Sequence, residues 1–443
     1  MSDQEYVAAS FYRSKDRYYQ SNDDQNIVLF FNESTWSNTA ASLKWYKNYK
    51  NGLSSKQVYS FSNLQNEKVA IYQETADFST FQKMNVHHLK SSWSKKQGKL
   101  ELNGGIEGHV YLTNSYLKNP DTSFVFIPKS TAAEVAPYAE ASFSHNLWNY
   151  KLGTRYTLYK LVDDDMFAIP DIRASVAYTQ SNHHAYLAFD RTSQFTFQLY
   201  ETFMPISSDF WILANSKVKP QISNMFSLGY SWSIKAINVS VGGYAKHYAQ
   251  TYDYKDGALL YSSSDFQKYL TSATRRSAGL ELSMSMDFKK IKADANYTLS
   301  KTTLQSDQIN RGDRYPAFYD RPHLLNAGII YTSKKKFSLT ARQYLSSGRT
   351  MTYDYLLPII LVSSRNEIRL PMYHRLDVGM NWTRQNKKHE NRSSTFGVSI
   401  YNVYNNLNTY YIRKTYETGK AYGDYEAVTL FPIIPTVTYG LKF

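Results

Sequence analysis

Apolar and polar residues alternate along much of this chain, most clearly between residues 278 and 288. A period of two is the period at which side chains point to opposite faces of a β-strand. The pattern therefore predicts a strand with one apolar and one polar face. The apolar face consists of Ala278, Leu280, Leu282, Met284, Met286 and Phe288, and the polar face of Gly279, Glu281, Ser283, Ser285 and Asp287.

The same alternation recurs on both sides of short turns. After Lys289 and Lys290 the pattern restarts at Ile291, which predicts a β-hairpin. Further stretches of this kind lie at 150–159, 226–234, 237–241 and 376–382. A predicted strand of about ten residues, at roughly 3.3 Å per residue and a tilt near 45°, spans about 23 Å along the normal of a bilayer. That length fits the hydrocarbon layer of a membrane.

The predicted connections differ in length and alternate between short and long. A barrel in an outer membrane has short periplasmic turns and long outer loops, whereas a soluble β-sandwich has no reason to sort its connections in this way. The alternation therefore favours a membrane barrel over a soluble all-β protein. Short connections are predicted near 146–149, 180–183, 235–236, 289–290, 333–336 and 384–394, and long ones near 111–134, 160–171, 192–221, 248–275, 301–323, 344–373 and 405–431.

The first quarter of the chain is less regular but continues the pattern. Strands are predicted at 6–12, 39–46, 57–64 and 84–93, the last with an unclear register around His87, His88 and Lys90. Counting these gives about eighteen antiparallel strands, the first rising from the periplasmic side. The fold class is thus all-β, a transmembrane antiparallel β-barrel, with residues 1–443 as its single domain and no linker.

Composition supports this interpretation by exclusion. No run approaches the roughly 18 apolar residues of a membrane helix. The mean hydropathy of −0.52 does not argue against a barrel, because a barrel places its apolar residues at every second position. The net charge of +14 comes from scattered Lys and Arg residues, which predicts no nucleic-acid partner. The absence of cysteine excludes a disulfide framework and a thiolate metal site.

Aromatic residues occupy the positions expected of a membrane wall. Five of the seven tryptophans, Trp45, Trp93, Trp148, Trp232 and Trp382, lie in or near a predicted short turn, and such rings prefer the headgroup level of a bilayer. The last residues form a strand that ends on an aromatic residue. Its lipid-facing positions resemble the terminal signal that bacterial barrel-assembly machinery recognises, carried here by Val437, Tyr439, Leu441 and Phe443.

Several stretches are similar to the TonB-dependent receptors of Bacteroidota that carry a plug domain. The similarity spans almost the whole chain. The matching stretches are Trp36-Ser37-Asn38-Thr39-Ala40-Ala41-Ser42-Leu43-Lys44-Trp45, residues 315–323 (YPAFYDRPH), residues 370–379 (LPMYHRLDVG), residues 398–405 (VSIYNVYN) and residues 430–443.

The resemblance implies a barrel of about 22 strands around an N-terminal plug. On that pattern the chain begins at about the fifth strand, so we expect it to be a truncated reading frame or a fragment that lacks the plug, the energy-coupling box and about four strands. The implied partners are the lipid bilayer of the outer membrane, the barrel-assembly machinery, a small nutrient ligand and the TonB complex, the last through a plug outside this chain. A surface lipoprotein partner is also compatible with the resemblance.

Catalytic and metal sites find little support in the sequence. The pairs His87-His88 and His183-His184 cannot each chelate one ion, because adjacent residues of a strand point to opposite faces. Asp163-Asp164-Asp165 lacks the spacing of a calcium loop, and Ser144-His145 has no third member of a triad. Phosphate-binding glycine loops are also absent from the sequence. We therefore predict no enzyme activity, no cofactor and no metal ligand.

Ligand contact is predicted for the long outer loops. Aromatic rings suit sugars, aromatic siderophores or corrinoids, and arginine suits carboxylate or phosphate groups. Each residue taken singly is better explained as a girdle or loop-packing residue, so the prediction applies to the set. The set is Phe210, Trp211, Arg314, Tyr315, Phe318, Tyr319, Tyr353, Tyr355, Tyr410 and Tyr411.

Three functional hypotheses follow. The first is the barrel portion of an energised outer-membrane transporter for a scarce nutrient of the siderophore, cobalamin, glycan or peptide class. The second is a passive, porin-like channel or a non-functional fragment of a transporter. The third is a soluble all-β binding protein, which predicts extraction into buffer without detergent.

Overall fold

The chain forms a succession of antiparallel strands, each hydrogen-bonded to its neighbours along the sequence. The computed structural model describes residues 5–19, 33–72, 76–119, 122–199, 210–256, 266–333, 336–352, 354–356, 360–362, 364–385, 392–415 and 424–442. Two short 3-10 segments lie at Phe266–Tyr269 and Asn310–Gly312. No helix in these ranges has the length and apolar character needed to cross a membrane.

The strands are numbered in chain order. They are β1 (Glu5–Tyr19), β2 (Glu33–Asn48), β3 (Leu53–Tyr72), β4 (Ala76–Gln97), β5 (Leu100–Asn119), β6 (Thr122–His145), β7 (Trp148–Leu161), β8 (Met166–Gln180), β9 (His183–Gln194), β10 (Thr196–Leu199), β11 (Phe210–Leu213), β12 (Gln221–Ile234), β13 (Ile237–Tyr254), β14 (Leu270–Phe288), β15 (Ile291–Gln305), β16 (Tyr315–Pro316), β17 (His323–Ser333), β18 (Phe337–Ser346), β19 (Thr350–Met351), β20 (Asp354–Leu356), β21 (Ile360–Val362), β22 (Ile368–Arg369), β23 (Tyr373–Gln385), β24 (Ser393–Tyr401), β25 (Thr409–Thr415), β26 (Asp424–Thr429) and β27 (Ile434–Lys442).

One sheet contains most of these strands. Nineteen of the described strands belong to it, and one of them, β16, has only two residues, which leaves eighteen long strands in the wall. The predicted count of about eighteen is therefore confirmed. The other strands form four small two-stranded sheets, β10-β11, β19-β22, β20-β21 and β25-β26, in the connections at the end of the wall with longer loops.

Many of the wall strands are longer than the apolar pattern predicts. The predicted length is about ten residues, but β6 has 24 residues and β3 has 20. The prediction of long connections at 111–134 and 160–171 is therefore wrong. Strands β5 and β6 occupy most of the first range, and β7 and β8 are joined through residues 162–165. Beyond the bilayer both faces of a strand meet water, so the strand continues while its apolar alternation stops.

The two faces of the wall follow the predicted alternation. In β14, Leu280 and Leu282 are 59% and 48% exposed. On the outer face Leu282 lies between Val241 of β13 and Tyr297 of β15. On the opposite face Glu281 lies between Gly242 and Thr298. The apolar face is the one that contacts lipid, because exposed apolar side chains are stable there.

The turns at the opposite end of the wall are tight. Asn146, Ser181, Lys235 and Lys289 each open a two-residue connection and have positive φ angles of 52°, 53°, 51° and 55°. A left-handed residue at this position matches the twist of the flanking strands in a hairpin. By the rule that outer-membrane barrels have short periplasmic turns, this end is the periplasmic one.

The last strand, β27, runs along the edge of the sheet. It pairs with β24, so that Tyr439 lies opposite Phe396 and Val437 opposite Val398. At the other edge β1 pairs with β2, and the ladders of the described residues do not join β1 to β27. Three positions of the predicted assembly signal, Val437, Tyr439 and Leu441, are exposed along β27. The fourth, Phe443, lies outside the described residues.

Because the chain has no cysteine, single cysteines at Leu282 and Glu281 can be labelled with an environment-sensitive fluorophore in native membranes. We expect the label at Leu282→Cys to report hydrocarbon and the label at Glu281→Cys to report water, since adjacent strand positions face opposite sides. Emission at the same wavelength from both positions would contradict a lipid-facing wall.

Candidate functional site

An ion cluster lies on the inner face of the wall, where β4 to β7 are adjacent. Arg155 donates to Glu107 over 2.8 Å and to Glu134 over 2.9 Å. Lys90 donates to Glu107 Oε2 over 3.1 Å, the same oxygen that Arg155 contacts. The hydroxyl of Tyr111 donates to Glu134 Oε2 over 3.1 Å. Two carboxylates and two cations thus form one connected network, which we call the inner-wall cluster.

The cluster follows from strand alternation and register together. The neighbours of its members point to lipid: Ile106 is 50% exposed and Leu89 is 63% exposed. Register then places Lys90 opposite Glu107 across the β4-β5 ladder. Alternation in the sequence places Lys90, Glu107 and the other charged members on the inner face of their strands, but it does not give the register that brings opposite charges together.

A hairpin formed by β10 and β11 packs against the inner face of the wall. The amide of Gln82 in β4 donates to the carbonyl of Trp211 over 2.8 Å, and its carbonyl accepts from the Trp211 N–H over 3.0 Å. The hydroxyl of Tyr159 in β7 donates to the carbonyl of Ala214 over 3.1 Å. This outer connection therefore folds into the lumen. Apolar side chains of this connection and of the wall form one buried core. Its members are Met84, Ala132, Tyr159, Phe195, Phe197, Leu199, Ile212, Leu213, Ala214, Val218, Tyr254 and Leu270.

The acidic turn between β7 and β8 helps to hold the same connection. Asp164 Oδ1 accepts a hydrogen bond from the backbone N–H of Ser216 over 2.9 Å. Asn215 Oδ1 accepts from the N–H groups of Lys217 and Val218. In this structure Asp164 contributes to loop packing.

A cavity of about 230 Å³ opens beside this hairpin at the extracellular end of the lumen. Sites for drug-sized molecules usually measure about 300–1,000 Å³, so this volume accommodates part of a ligand. Arg275 of β14 lies in its wall, with its guanidinium 3.6 Å from the ring centre of Tyr248 and Nη1 donating to the Tyr319 hydroxyl over 2.8 Å. The lining includes Gln198, Leu199, Trp211, Gln221, Tyr252, Arg275, Phe318, Tyr319 and Asn366.

Three of the residues predicted to contact ligand meet at this cavity: Trp211, Phe318 and Tyr319. Sequence reasoning did not select Arg275, which the cavity adds to them. Its alternation within β14 indicates an inward position, but nothing in the sequence places it beside Tyr319, because the two residues meet only after the connection around 306–322 folds back over the strand.

Tyr315 is buried and bonds to Asp253, a residue of the cavity lining. Its hydroxyl donates to Asp253 Oδ2 over 3.1 Å, and burial together with this carboxylate raises the pKa of Tyr315. The buried Arg365 donates to the Tyr254 carbonyl over 2.8 Å. These bonds tie the outer connections to the end of β13, which gives the cavity a fixed wall.

The remaining predicted contact residues lie elsewhere. Arg314 is exposed. Tyr410 and Tyr411 have ring centres 5.8 Å apart in a T-shaped arrangement, and Arg349 donates to the Tyr410 carbonyl over 3.0 Å. The structure describes only the backbone of Phe210 in β11 and of Tyr355 in β20, and Tyr353 lies outside the described residues. For all ten residues, ligand contact stays a prediction.

The histidine pairs behave as alternation predicts. His183 Nδ1 lies 2.7 Å from the Tyr230 hydroxyl, whereas His184 Nδ1 lies 2.9 Å from Thr179 Oγ1. His87 Nδ1 is likewise 3.0 Å from the Tyr59 hydroxyl, and its neighbour in sequence, His88, points to the inner face. Members of one pair therefore have different partners on opposite faces.

A larger groove, of about 620 Å³, lies on the outer wall. It opens over Gly243, between Leu228 and Leu280. Because both leucines lie on the face that contacts lipid, we assign this groove to the membrane surface and the smaller cavity to the ligand path.

The amino-acid sequence of the chain matches the model of a known protein family. The model for TonB dependent receptor-like, beta-barrel proteins matches residues 2–405. The chain belongs to the TonB-dependent receptor β-barrel family. Members of this family are outer-membrane transport proteins. The predicted all-β barrel fold and the likeness to TonB-dependent receptors are confirmed. A comparison with curated proteins found no match.

Solved structures of TonB-dependent receptors share the fold at low sequence identity. BauA, the ferric preacinetobactin receptor of Acinetobacter baumannii, has a TM-score of 0.61 and 14% identity over 99% of this chain and 70% of its own. The ferripyoverdine receptor of Pseudomonas aeruginosa has a TM-score of 0.66 and 12% sequence identity, and the match covers 99% of this chain and 62% of that receptor. FyuA, the ferric yersiniabactin uptake receptor of Yersinia pestis, has a TM-score of 0.65 and 13% sequence identity, and the match covers 100% of this chain and 68% of FyuA. The present chain thus corresponds to about two thirds of each receptor.

Removing Arg155 should destabilise this TonB-dependent receptor barrel. Arg155→Gln leaves Glu107 and Glu134 facing each other without their shared cation, and we expect a loss of about 1–3 kcal/mol in the free energy of unfolding. Unfolding by urea in lipid vesicles measures it. Arg173→Gln is the control, because its side chain is 60% exposed and forms one ion pair, with Asp190, for which we expect less than about 1 kcal/mol. Equal losses would contradict a network at Arg155.

Gln82→Ala should release the folded-in hairpin. The Trp211 N–H loses its acceptor in β4, so we expect its amide hydrogen exchange to accelerate about tenfold, which corresponds to roughly one hydrogen bond. Gln343→Ala is the control, because Gln343 bonds to Tyr404 outside the hairpin. Unchanged exchange at Trp211 would show that the apolar core alone holds the hairpin.

Proposed function

We propose that this chain is the barrel portion of a TonB-dependent transporter that takes up a scarce nutrient of the siderophore, cobalamin, glycan or peptide class across the outer membrane of a Gram-negative cell. The observation that carries the proposal is the cavity at the extracellular end of the lumen. Its lining brings together aromatic rings and an arginine that the strand alternation points inward, which is an arrangement for holding a ligand rather than for letting solutes pass.

The chemistry of the cavity suits a ligand with both flat and anionic parts. Trp211, Phe318 and Tyr319 supply ring faces and edges, and Arg275 supplies N–H groups for a carboxylate, catecholate or phosphate. Arg275 Nε is buried and makes no hydrogen bond within the described residues, so a bound oxygen atom can satisfy it. The receptors for ferric preacinetobactin, ferripyoverdine and ferric yersiniabactin support the siderophore class by likeness of fold.

The proposed partners follow from this role. We infer that the wall lies in the lipid bilayer of the outer membrane and that the barrel-assembly machinery recognises β27. Energised uptake also needs contact with the TonB complex through a plug, which the family pattern places N-terminal to these strands. The amino-acid sequences at 36–45 and 370–379 resemble those of Bacteroidota receptors, which supports an origin in that group. From the same resemblance we infer a surface lipoprotein as a further partner. We propose no enzyme activity for the chain.

A passive, porin-like channel is the second candidate function. The β10-β11 hairpin favours it, because a connection folded into the lumen narrows a pore without a separate plug. The two functions differ in their need for energy: an energised transporter depends on the proton gradient and the TonB complex, whereas a passive channel does not.

Uptake by intact cells tests the proposal. Cells that carry the natural gene are compared with cells that lack it, using radiolabelled ferric siderophores, cobalamin, glycans and peptides. We expect uptake of one of these classes to depend on the gene and to stop when the proton gradient is collapsed. Uptake that continues without the gradient would favour the passive channel, and no gene-dependent uptake of any class would overturn the proposal.

The Arg275→Ala variant then links uptake to the cavity. Loss of the charged hydrogen bonds should weaken binding of an anionic ligand about tenfold or more. Arg276→Ala is a matched control, because Arg276 is the next residue of β14, is exposed and faces the other side of the wall. If both variants take up the ligand as well as the wild type, the ligand does not use this cavity.

A further inference from the structure

Three side chains with metal-binding atoms converge on the inner wall between β4 and β5. His88 Nε2 lies 2.8 Å from Glu107 Oε1, and His109 Nε2 lies 3.9 Å from the same oxygen. All three ligand atoms lie within 4.8 Å of one another. The convergence is set by register, since His88 and His109 are directly opposite in the β4-β5 ladder and their rings stack with centres 4.5 Å apart.

We propose that His88, Glu107 and His109 bind a divalent transition-metal ion on the lumenal wall of the barrel. Two imidazoles and a carboxylate are ligands that suit Zn²⁺, Cu²⁺ and Ni²⁺. With three protein ligands, a fourth position remains open to water or to a ligand in the lumen. The proposal goes beyond uptake of a nutrient and does not depend on it.

The surroundings of the two histidines are those of metal ligands. A ligating imidazole usually donates its other N–H to an oxygen acceptor, which orients the ring. His88 Nδ1 lies 3.2 Å from Ser60 Oγ in β3. His109 Nδ1 is buried, makes no hydrogen bond within the described residues and lies 3.7 Å from Glu134 Oε1. A small rotation of the His109 ring lets Nδ1–H donate to Glu134 and turns the Nε2 lone pair toward Glu107.

The neighbouring cations leave one carboxylate oxygen to the metal. Lys90 and Arg155 both contact Glu107 Oε2, at 3.1 Å and 2.8 Å, whereas the two histidines approach Oε1. Their two positive charges are balanced by Glu107 and Glu134, so the site has no formal excess of positive charge. Metal binding replaces the contact between His88 Nε2 and Glu107, and the neutral His88 ring then carries its proton on Nδ1, which donates a hydrogen bond to Ser60 Oγ.

Sequence reasoning considered only adjacent histidines. His87 and His88 cannot share an ion, because adjacent strand residues point to opposite faces. The partners of His88 lie about twenty residues further along the chain, across a hairpin whose register the sequence did not define.

Isothermal titration calorimetry of the purified full chain with Zn²⁺ tests the site. We expect one ion per chain, and we expect His88→Ala and His109→Ala each to weaken binding by more than the roughly 10–100-fold that loss of an outer-shell partner causes. The control is His87→Ala, the adjacent residue of β4, whose ring bonds to Tyr59 on the lipid-facing side, and we expect it to bind like the wild type.

A second measurement keeps the test independent of folding and of transport. With Cu²⁺, the electron paramagnetic resonance spectrum should show two coordinated nitrogens in the wild type and one in His109→Gln, while circular dichroism shows unchanged strand content. Glu134→Gln should weaken Zn²⁺ binding about tenfold. Wild-type affinity in both histidine variants, or a spectrum without nitrogen ligands, would overturn the proposal, whatever the result of the uptake experiment.

Discussion

Hydrogen bonding between neighbouring strands is the constraint on which the rest of this structure depends. Inside a bilayer no water satisfies a backbone N–H or C=O group, so each must pair with another strand. The ladders meet this requirement for the wall strands that lie between the two edge strands, β1 and β27, by joining these strands in chain order. Pairing in chain order fixes which side chains meet, and alternation fixes whether they meet in lipid or in the lumen.

Within the span of the bilayer, the lumenal face is therefore the one where charged side chains can gather. Arg155, Glu107 and Glu134 occupy three strands but form one network, because a water-filled interior tolerates charges that the lipid face does not. The same network surrounds the proposed metal site, and its hydrogen bonds hold Glu107 in place. The outer connections complete the interior: one folds inward as the β10-β11 hairpin, and another brings Tyr319 to Arg275.

The cavity near Arg275 and the proposed metal site lie at different depths of the lumen and have different proposed roles. The cavity near Arg275 lies at the extracellular end and presents rings and a guanidinium, as expected where a ligand first binds. The histidines of β4 and β5 lie on the wall below the Gln82–Trp211 contact that anchors the hairpin. A solute that passes the hairpin would meet this part of the wall next, which makes the inner-wall cluster a candidate for contact during passage.

The sequence by itself determined the fold class, the approximate number of strands, the lipid-facing residues such as Leu282, and the tight turns at Lys235 and Lys289. These are local properties, set by a period of two and by turn geometry. It also indicated that adjacent histidines face apart. It did not determine how far the strands extend above the membrane, because water on both faces removes the alternation. Only the tertiary structure decided which distant residues meet, as in the contacts of His88 with Glu107 and of Arg275 with Tyr319, because register and loop folding depend on the whole sheet.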